Sequence, residues 1–234
     1  TVSPLSRDPS MTPSASQSSP TPSSASLSDE PLEAVIFDLG MVLVEIDFQR
    51  SFASWAAHAG VDAGDLSSRY TTDEAYERHE RGELEGPAYL QSVGRQLGID
   101  LTPAQWVGGW VDLLLEPVRG IEAVIDALQP ALKRAVFSNT NATHAAVFAA
   151  RYGELLARFD RVFLSHELGM RKPEQRAFER VASELGVAPG RILFLDDNEA
   201  NLAGARSLGM RTVLVRSIED TKQGLAAAGA LVRD

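Results

Sequence analysis

A small set of polar side chains stands at or just beyond the ends of apolar runs that have the length of buried strands. The members of this set are Asp38, Ser138, Asn139, Lys172, Asp196 and Asp197. The run before Asp38, Ala-Val-Ile-Phe, is typical of a strand buried on both faces of a parallel sheet. Because ligands bind outside the carboxyl ends of such strands, we expect the six side chains to lie at one edge of the sheet.

These residue types are suited to phosphoryl transfer. Three carboxylates at one edge would repel one another without a cation, and a hard divalent ion with oxygen ligands, such as Mg²⁺, removes that repulsion. The ammonium of Lys172, the hydroxyl of Ser138 and backbone N–H groups near Gly40 and Asn139 suit a tetrahedral oxyanion. A carboxylate nucleophile beside a metal and a phosphate cradle describes transfer through an aspartyl-phosphate.

Each member of the set also has a purely structural interpretation. Ser138 and Asn139 are common turn residues, and a lysine is usually solvated at the surface. Asp196 and Asp197 are suited to cap the helix that follows them, and Asp38 close to a glycine is typical of a turn. Only their joint placement at strand ends favours the chemical interpretation.

Alternating strand and helix patterns predict the elements that hold these residues. After the first strand, further strands are predicted at residues 134–137, 161–165, 191–195 and 211–215. Helices are predicted between them, one over residues 118–128 and another opened by Pro173. This alternation predicts an α/β fold with a doubly wound parallel sheet.

A long insertion follows the first strand. Residues 47–116 show apolar side chains at helical spacing, with stops at Gly60 and Gly98. Connections of that length are usually lids or inserted modules. We therefore expect a helical cap inserted between two core segments, residues 32–46 and 117–234.

Composition narrows the classes of partner. The net charge of −10 disfavours nucleic acid and anionic membranes, and the lack of cysteine excludes disulfides and thiol catalysis. Residues 1–31 are rich in Ser, Pro and Thr, which predicts a disordered tail without the apolar segment of a secretory signal. We expect a cytoplasmic protein, a monomer or weak homo-oligomer, that acts on a small phosphorylated metabolite.

Four segments carry a resemblance to a known family. FDLGMV, FSNT, GMRKPE and FLDDN, in this order, resemble the four motifs of the haloacid dehalogenase-like hydrolase superfamily, and the insertion resembles the helical cap of its subfamily IA. The resemblance implies Mg²⁺ as cofactor, Asp38 as nucleophile, and Lys172 as the cation that balances charge between Asp38 and phosphate. The implied metal ligands are Asp38, the Gly40 carbonyl, Asp197, and Asp196 directly or through water. The implied phosphate-binding residues are Ser138, Asn139, Gly40, Met41 and Lys172.

Gly40 departs from the pattern of most phosphatases in this superfamily. They carry a second aspartate there as general acid, and such help is typically worth ~10²–10⁴-fold in rate. Bacterial α-D-glucose-1-phosphate phosphatases resemble this chain in having a glycine at that position, and an anomeric hydroxyl leaves more easily without a proton. His79 and Glu80 stand in the cap turn expected to face the site, so we predict that they, together with Asp47, contact the substrate hydroxyls; a capped surface turn is the alternative interpretation of His79 and Glu80. Asp47 is also open to interpretation as a surrogate acid or as a solvated hinge residue.

The sequence therefore predicts a Mg²⁺-dependent phosphatase of a small phosphomonoester such as glucose 1-phosphate. Three alternatives remain at this point. One is a catalytically weak or inactive sugar-phosphate-binding protein, which the missing acid at Gly40 favours. The second is a haloacid dehalogenase, although those enzymes lack a paired acid such as Asp196 and Asp197. The third is a signalling receiver, although receivers place the acidic pair before the phospho-acceptor and have no cap.

Overall fold

The computed structural model describes residues 30–232. The strands in this part of the chain are β1 (Ala34–Phe37), β2 (Val44–Ile46), β3 (Leu114–Pro117), β4 (Lys133–Ser138), β5 (Arg161–Leu164), β6 (Ile192–Asp196) and β7 (Arg211–Leu214). The helices are α1 (Phe48–Ala59), α2 (Ala63–Arg69), α3 (Glu74–Glu80), α4 (Gly86–Leu97), α5 (Pro103–Asp112), α6 (Ile121–Asp126), α7 (Ala142–Leu156), α8 (Ser165–Leu168), α9 (Gln175–Leu185), α10 (Glu199–Ser207) and α11 (Ile218–Ala227). No helix among the described residues is both long and apolar enough to cross a membrane.

Five parallel strands form the main sheet, in the order β5-β4-β1-β6-β7. Strand β1 lies in the centre and pairs with β4 on one side and β6 on the other. Alternate residues of β1 enter opposite layers: Val35 and Phe37 join one apolar cluster, and Ala34 and Ile36 join the other. Strands buried on both faces need helices on both sides, so the predicted fold class, a doubly wound α/β sheet, is confirmed.

Helices α1 to α5 lie between β2 and β3, within residues 47–116, the range that the sequence predicts as an inserted cap. Helix α1 ends at Gly60 and α4 at Gly98, and both glycines adopt the left-handed conformation, with φ of 69° and 70°. Helix α5 begins with a complete capping box between Thr102 and Gln105. The tail predicted for residues 1–31 lies outside the described residues, apart from its last two.

Two predicted helices differ from the structure in their bounds, and one pair of strands was not predicted. The predicted helix over residues 118–128 extends only over Ile121–Asp126. The helix expected to open at Pro173 begins at Gln175, and Glu174 takes the N-cap position. Strands β2 and β3 were not predicted; they form a two-stranded antiparallel sheet where the chain enters and leaves the cap.

Candidate active site

Asp38 follows the last residue of the central strand, and its carboxylate is oriented by two donors. The backbone N–H of Leu39 and the ammonium of Lys172 both donate to Oδ1, each at 2.7 Å. No described residue donates to Oδ2, so this oxygen is available to a substrate or a metal. Burial raises the pKa of Asp38 to about 7; the Lys172 ammonium opposes that shift, and the nearby Asp196 and Asp197 add to it.

Lys172 is fully buried between two carboxylates. Its Nζ lies 2.7 Å from Asp38 Oδ1 and 2.7 Å from Asp196 Oδ2, and it also lies over the rings of Phe137 and Phe194. Burial alone lowers the pKa of the ammonium, but Asp38 and Asp196 more than offset it, so the pKa of Lys172 is above its ordinary value. The lysine is therefore a fixed positive charge beside the carboxylate that the sequence predicts as nucleophile.

The side chain of Asn139 holds the segment that carries this lysine. Its Nδ2 donates to the Lys172 carbonyl at 2.9 Å, and its Oδ1 accepts from the Lys172 N–H at 2.8 Å. The amide group thus joins the end of β4 to a loop 33 residues later in the chain. Because the Asn139 side chain makes these two structural hydrogen bonds, only the backbone N–H of Asn139 remains for the predicted phosphate contact.

Asp196 and Asp197 differ in how much freedom their carboxylates have. Asp196 is fully buried, and its oxygens accept from the Asn198 N–H, from Asn201 Nδ2 and from Lys172. Asp197 is exposed and reaches the cavity above the sheet. Burial first and the Asp196 charge second raise the pKa of Asp197. The pair therefore combines a fixed carboxylate with an accessible one.

Oxygen atoms of Asp38, Asp196 and Asp197 lie within 4.8 Å of one another. Three carboxylates face a single ammonium there; burial raises the pKa values of Asp38 and Asp197, and the neighbouring carboxylates raise them further. Hard oxygen donors at this separation fit a divalent cation such as Mg²⁺, whose ligands lie at ~2.0–2.1 Å. The donor chemistry of this structure thus fits the predicted ion.

The loop after β1 places the other predicted phosphate-binding groups. Met41 has φ of 59°, and its N–H donates to the Val44 carbonyl at 2.8 Å, so that amide is already engaged. A Cβ atom added to Gly40 would lie 2.6 Å from Cδ1 of Ile46. The side chain of Ile46 therefore occupies the space where an acid at position 40 would begin. Ser138 is buried at the end of β4 and lines the cavity.

A cavity of about 420 Å³ separates the sheet edge from the cap. Its floor includes Asp38, Ser138, Lys172 and Asp197, so the structure brings these predicted site residues together. Its cap side carries polar groups, namely Thr72, Tyr76, Glu77 and Glu80. The arrangement can hold a small anion on the floor and a polar group above it.

Helix α3 of the cap meets the Lys172 loop through ion pairs. The guanidinium of Arg171 contacts Glu80 at 2.7 Å and Glu77 at 3.3 Å, and Arg81 contacts Glu174 at 2.6 Å. The side chain of Glu80 is only 5% exposed. The residues on each side of the catalytic lysine candidate are therefore attached to the cap.

Two residues predicted to read the substrate lie outside the cavity wall. His79 is buried, stacks on Tyr89 and contacts the Leu84 carbonyl through Nδ1 at 2.8 Å, and burial lowers its pKa. Asp47 caps α1 by accepting from the Gln49 N–H. Their role in specificity stays a prediction.

Some residues of the site were not predicted. Arg171, Asn201 and His144 all line the cavity. Arg171 stands in the GMRKPE motif beside Lys172, which is the signal that a closer reading of the sequence could have used. Asn201 and His144 lie on helices, and only the fold shows that they turn toward Asp196 and the cap.

Comparisons with known proteins agree with this arrangement. The family model "haloacid dehalogenase-like hydrolase" matches residues 32–209. D-ribitol-5-phosphate phosphatase of Bacteroides thetaiotaomicron is 24% identical over 197 residues, which cover 82% of this chain and 95% of that protein. Phosphatase MT3486 of Mycobacterium tuberculosis is 26% identical over 215 residues, 85% of this chain and 96% of the relative.

A solved structure shows the same fold. A HAD family enzyme from Bacteroides thetaiotaomicron, crystallised as the wild-type protein with magnesium and inorganic phosphate, superimposes with a TM-score of 0.68. The match covers 80% of this chain and 95% of the other, at 22% sequence identity. At that identity the likeness concerns the fold.

Proposed function

Since the chain belongs to the haloacid dehalogenase-like hydrolase family, we propose that it is a Mg²⁺-dependent phosphatase that hydrolyses a small phosphomonoester through an aspartyl-phosphate. The observation that carries the proposal is the placement of Asp38. Its Oδ2 is available at the floor of the cavity between the sheet edge and the cap, beside a buried ammonium and a second accessible carboxylate. The phosphatase relatives, which match over most of their length, support the same class of reaction.

The first step is attack by Asp38. Oδ2 forms a bond to phosphorus while the bond between phosphorus and the leaving oxygen breaks. Lys172 keeps Asp38 oriented through Oδ1 and balances the charge that the phosphoryl oxygens bring into the site. Bound Mg²⁺, held by Asp38, Asp197 and the neighbouring Asp196, would supply further charge neutralisation for the transferring phosphoryl group.

The second step is hydrolysis of the phosphoenzyme. Water attacks phosphorus, the bond to Asp38 breaks, and inorganic phosphate leaves while the carboxylate is restored. The cap above the cavity excludes bulk water, which limits the reaction to the bound phosphoryl group.

The cavity favours a sugar or polyol phosphate. Its cap side offers hydroxyl and carboxylate groups at Thr72, Tyr76 and Glu77, which can hydrogen-bond the hydroxyls of a small substrate. Glucose 1-phosphate is a good candidate because its anomeric oxygen leaves readily. One relative is named for a polyol phosphate, which supports this chemical class.

A weak or inactive sugar-phosphate-binding protein is the second candidate, and Gly40 is the observation that favours it. Phosphate release separates the two: the purified chain is incubated with glucose 1-phosphate, glucose 6-phosphate and ribitol 5-phosphate, with Mg²⁺ or with a chelator. A phosphatase releases many equivalents in Mg²⁺ and almost none in chelator, whereas a binding protein releases at most one. Asp38→Asn should abolish turnover because an amide does not form the phosphoenzyme, and substantial turnover by that variant would refute covalent catalysis by Asp38.

A further inference from the structure

The proposed reaction needs a proton donor for an ordinary alkoxide, and the core does not supply one. The position two residues after Asp38 is Gly40, and Ile46 fills the adjoining space. A substitute must line the cavity, must not be a metal ligand, and must be able to gain and lose a proton. The cap is the remaining source.

Other groups on the cavity wall are already committed. Both ring nitrogens of His144 have partners, since Nε2 contacts the Trp110 carbonyl at 2.9 Å and Nδ1 contacts Asn141 at 3.2 Å. Lys172 is held by two carboxylates. Burial raises the pKa of Tyr76 well above its ordinary value, which makes it a poor acid.

Two cap carboxyls remain among the described residues of the cavity wall, Glu77 and Glu80. The side chain of Glu77 is 45% exposed, whereas that of Glu80 is 5% exposed. Only Glu80 therefore lies in surroundings where a carboxylic acid gains stability from the exclusion of water.

The structure assigns to Glu80 the general acid and base of the proposed phosphatase reaction. This assignment rests on the proposed function and adds a residue that touches the leaving group. In the first step the Glu80 carboxyl gives its proton to the leaving oxygen as the bond to phosphorus breaks. In the second step the Glu80 carboxylate takes a proton from the attacking water, so the protonated acid is restored at the end of the cycle.

The groups that face Glu80 suit both protonation states. Tyr70 and Tyr76 face it from the cap, and Arg171 and Lys172 face it from the core. Burial raises the pKa of Glu80, and Arg171, a Tyr76 hydrogen bond and Lys172 oppose that shift without cancelling it. Arg171, whose Nε lies 2.7 Å from Glu80 Oε2, stabilises the carboxylate after the proton has left.

The test is the dependence of rate on the leaving group. Substituted phenyl phosphates of equal size but different phenol pKa are hydrolysed by the full chain in Mg²⁺, and log kcat/KM is plotted against phenol pKa. Glu80→Gln should steepen the slope: the poorest leaving group loses ~10²-fold, and the most acidic phenol stays near the wild-type rate. Glu174→Gln, which removes another carboxylate of the cap contact but lies outside the cavity, should keep the wild-type slope.

A second measurement uses only the wild-type protein, so its result does not depend on whether the Glu80→Gln variant folds correctly. The wild-type slope should steepen as the pH rises, because the acid is lost as Glu80 ionises. Equal losses for all phenols in Glu80→Gln together with a wild-type slope that does not change with pH would overturn the assignment. A Glu80→Gln variant in which only KM rises would also overturn the assignment, because Glu80 would then bind substrate hydroxyls and not transfer a proton. If the wild type hydrolyses no member of the series, the proposed function itself fails.

Discussion

At the scale of single residues, the site places three carboxylates around one ammonium. Its chemistry depends on how these groups are oriented as well as on which residues supply them. Lys172 serves two carboxylates at equal distance, and a buried ion pair of this kind is stabilising only with good geometry. Its backbone is fixed by the Asn139 amide and its ammonium by Asp38 and Asp196. The sequence motif predicts which residue types are present, and these contacts determine where the Lys172 ammonium lies.

Asn139→Ala should therefore impair catalysis more than folding. Loss of the amide leaves the Lys172 N–H and carbonyl without their partners, so the ammonium shifts and kcat falls about 10- to 100-fold. Steady-state kinetics on the best substrate and a thermal melt measure the two effects. Gln129→Ala is the control, because that amide also joins backbone carbonyls, at Gly229 and Leu231, far from the cavity. If both variants lose activity equally, the two hydrogen bonds from the Asn139 side chain to the Lys172 backbone have no special role in catalysis.

The main catalytic candidates could be proposed from the sequence because their types, and their positions at or beyond predicted strand ends, are visible there. Asp38 and Ser138 stand at strand ends, Lys172 lies in the loop after α8, and all three line one cavity; their catalytic roles stay predictions. The side-chain role of Asn139 was missed because its partner lies 33 residues away. A hydrogen bond of that range depends on the packing of loops, which residue spacing does not encode.

At the scale of elements, local signals predicted helix ends better than strand pairs. Gly60 and Gly98 end their helices because glycine adopts the left-handed conformation without a steric penalty. Strands β2 and β3 have three and four residues and pair across the whole cap. Short strands whose partners are distant in sequence carry almost no local signal, which explains why this two-stranded sheet was not predicted.

Neighbouring glycines of α5 give a matched test of cap packing. A Cβ atom at Gly109 would lie 2.2 Å from Nε1 of the buried Trp55, whereas one at Gly108 meets nothing within 4 Å. Gly109→Ala should lower the free energy of unfolding by about 1–3 kcal/mol, since α1 and α5 must separate. Gly108→Ala should leave it unchanged or raise it by up to about 1 kcal/mol through helix propensity. Urea titration of both variants checks the pair, and equal effects would contradict the packing.

The cap is attached differently along its two edges. On one edge, α7 donates hydrogen bonds to backbone carbonyls of β3: Tyr152 Oη to Leu115 at 2.6 Å and the Arg151 guanidinium to Leu114 at 2.8 Å. On the other edge, α3 depends on ion pairs, including Arg81 with Glu174. Salt screens the second kind of contact far more than the first. We expect the cap to open at the α3 edge and to pivot at the α7 edge.

Salt should therefore weaken substrate binding through the α3 edge. Partly exposed pairs are worth ~0.2–1 kcal/mol each, so raising NaCl from about 0.05 to about 0.5 M should raise KM about 3- to 10-fold. The double variant Arg81→Gln with Glu174→Gln should start with a higher KM and show a shallower salt dependence. Tyr152→Phe should keep the wild-type salt dependence. An unchanged salt dependence in the double variant would show that only the substrate phosphate responds to salt.

At the scale of the whole molecule, cap and core share a single apolar cluster. Trp55 and Trp110 of the cap belong to the same buried set as Val35 and Phe37 of the central strand. The sequence predicted a doubly wound parallel sheet, because the spacing of apolar residues indicates which segments are buried strands and which are helices. It did not predict which cap residues face which core residues, because that depends on packing between segments far apart in the chain.

His144 is one of the polar links between cap and core, and it makes stability depend on pH. Burial lowers the pKa of His144 to about 4; the hydrogen bond to the Trp110 carbonyl opposes that shift, and the neighbouring His79 adds to it. The unfolded chain binds a proton near pH 6.5, so folding excludes that proton between about pH 6.5 and 4, and stability falls as the pH drops through this window. His144→Gln removes the titration. Between pH 7 and pH 4 the wild type should lose about 2–3 kcal/mol more unfolding free energy than the variant, as measured by urea titration. His58→Gln, at an exposed site on α1, should behave like the wild type. If wild type and His144→Gln lose stability in parallel, the imidazole does not join cap and core in its neutral form.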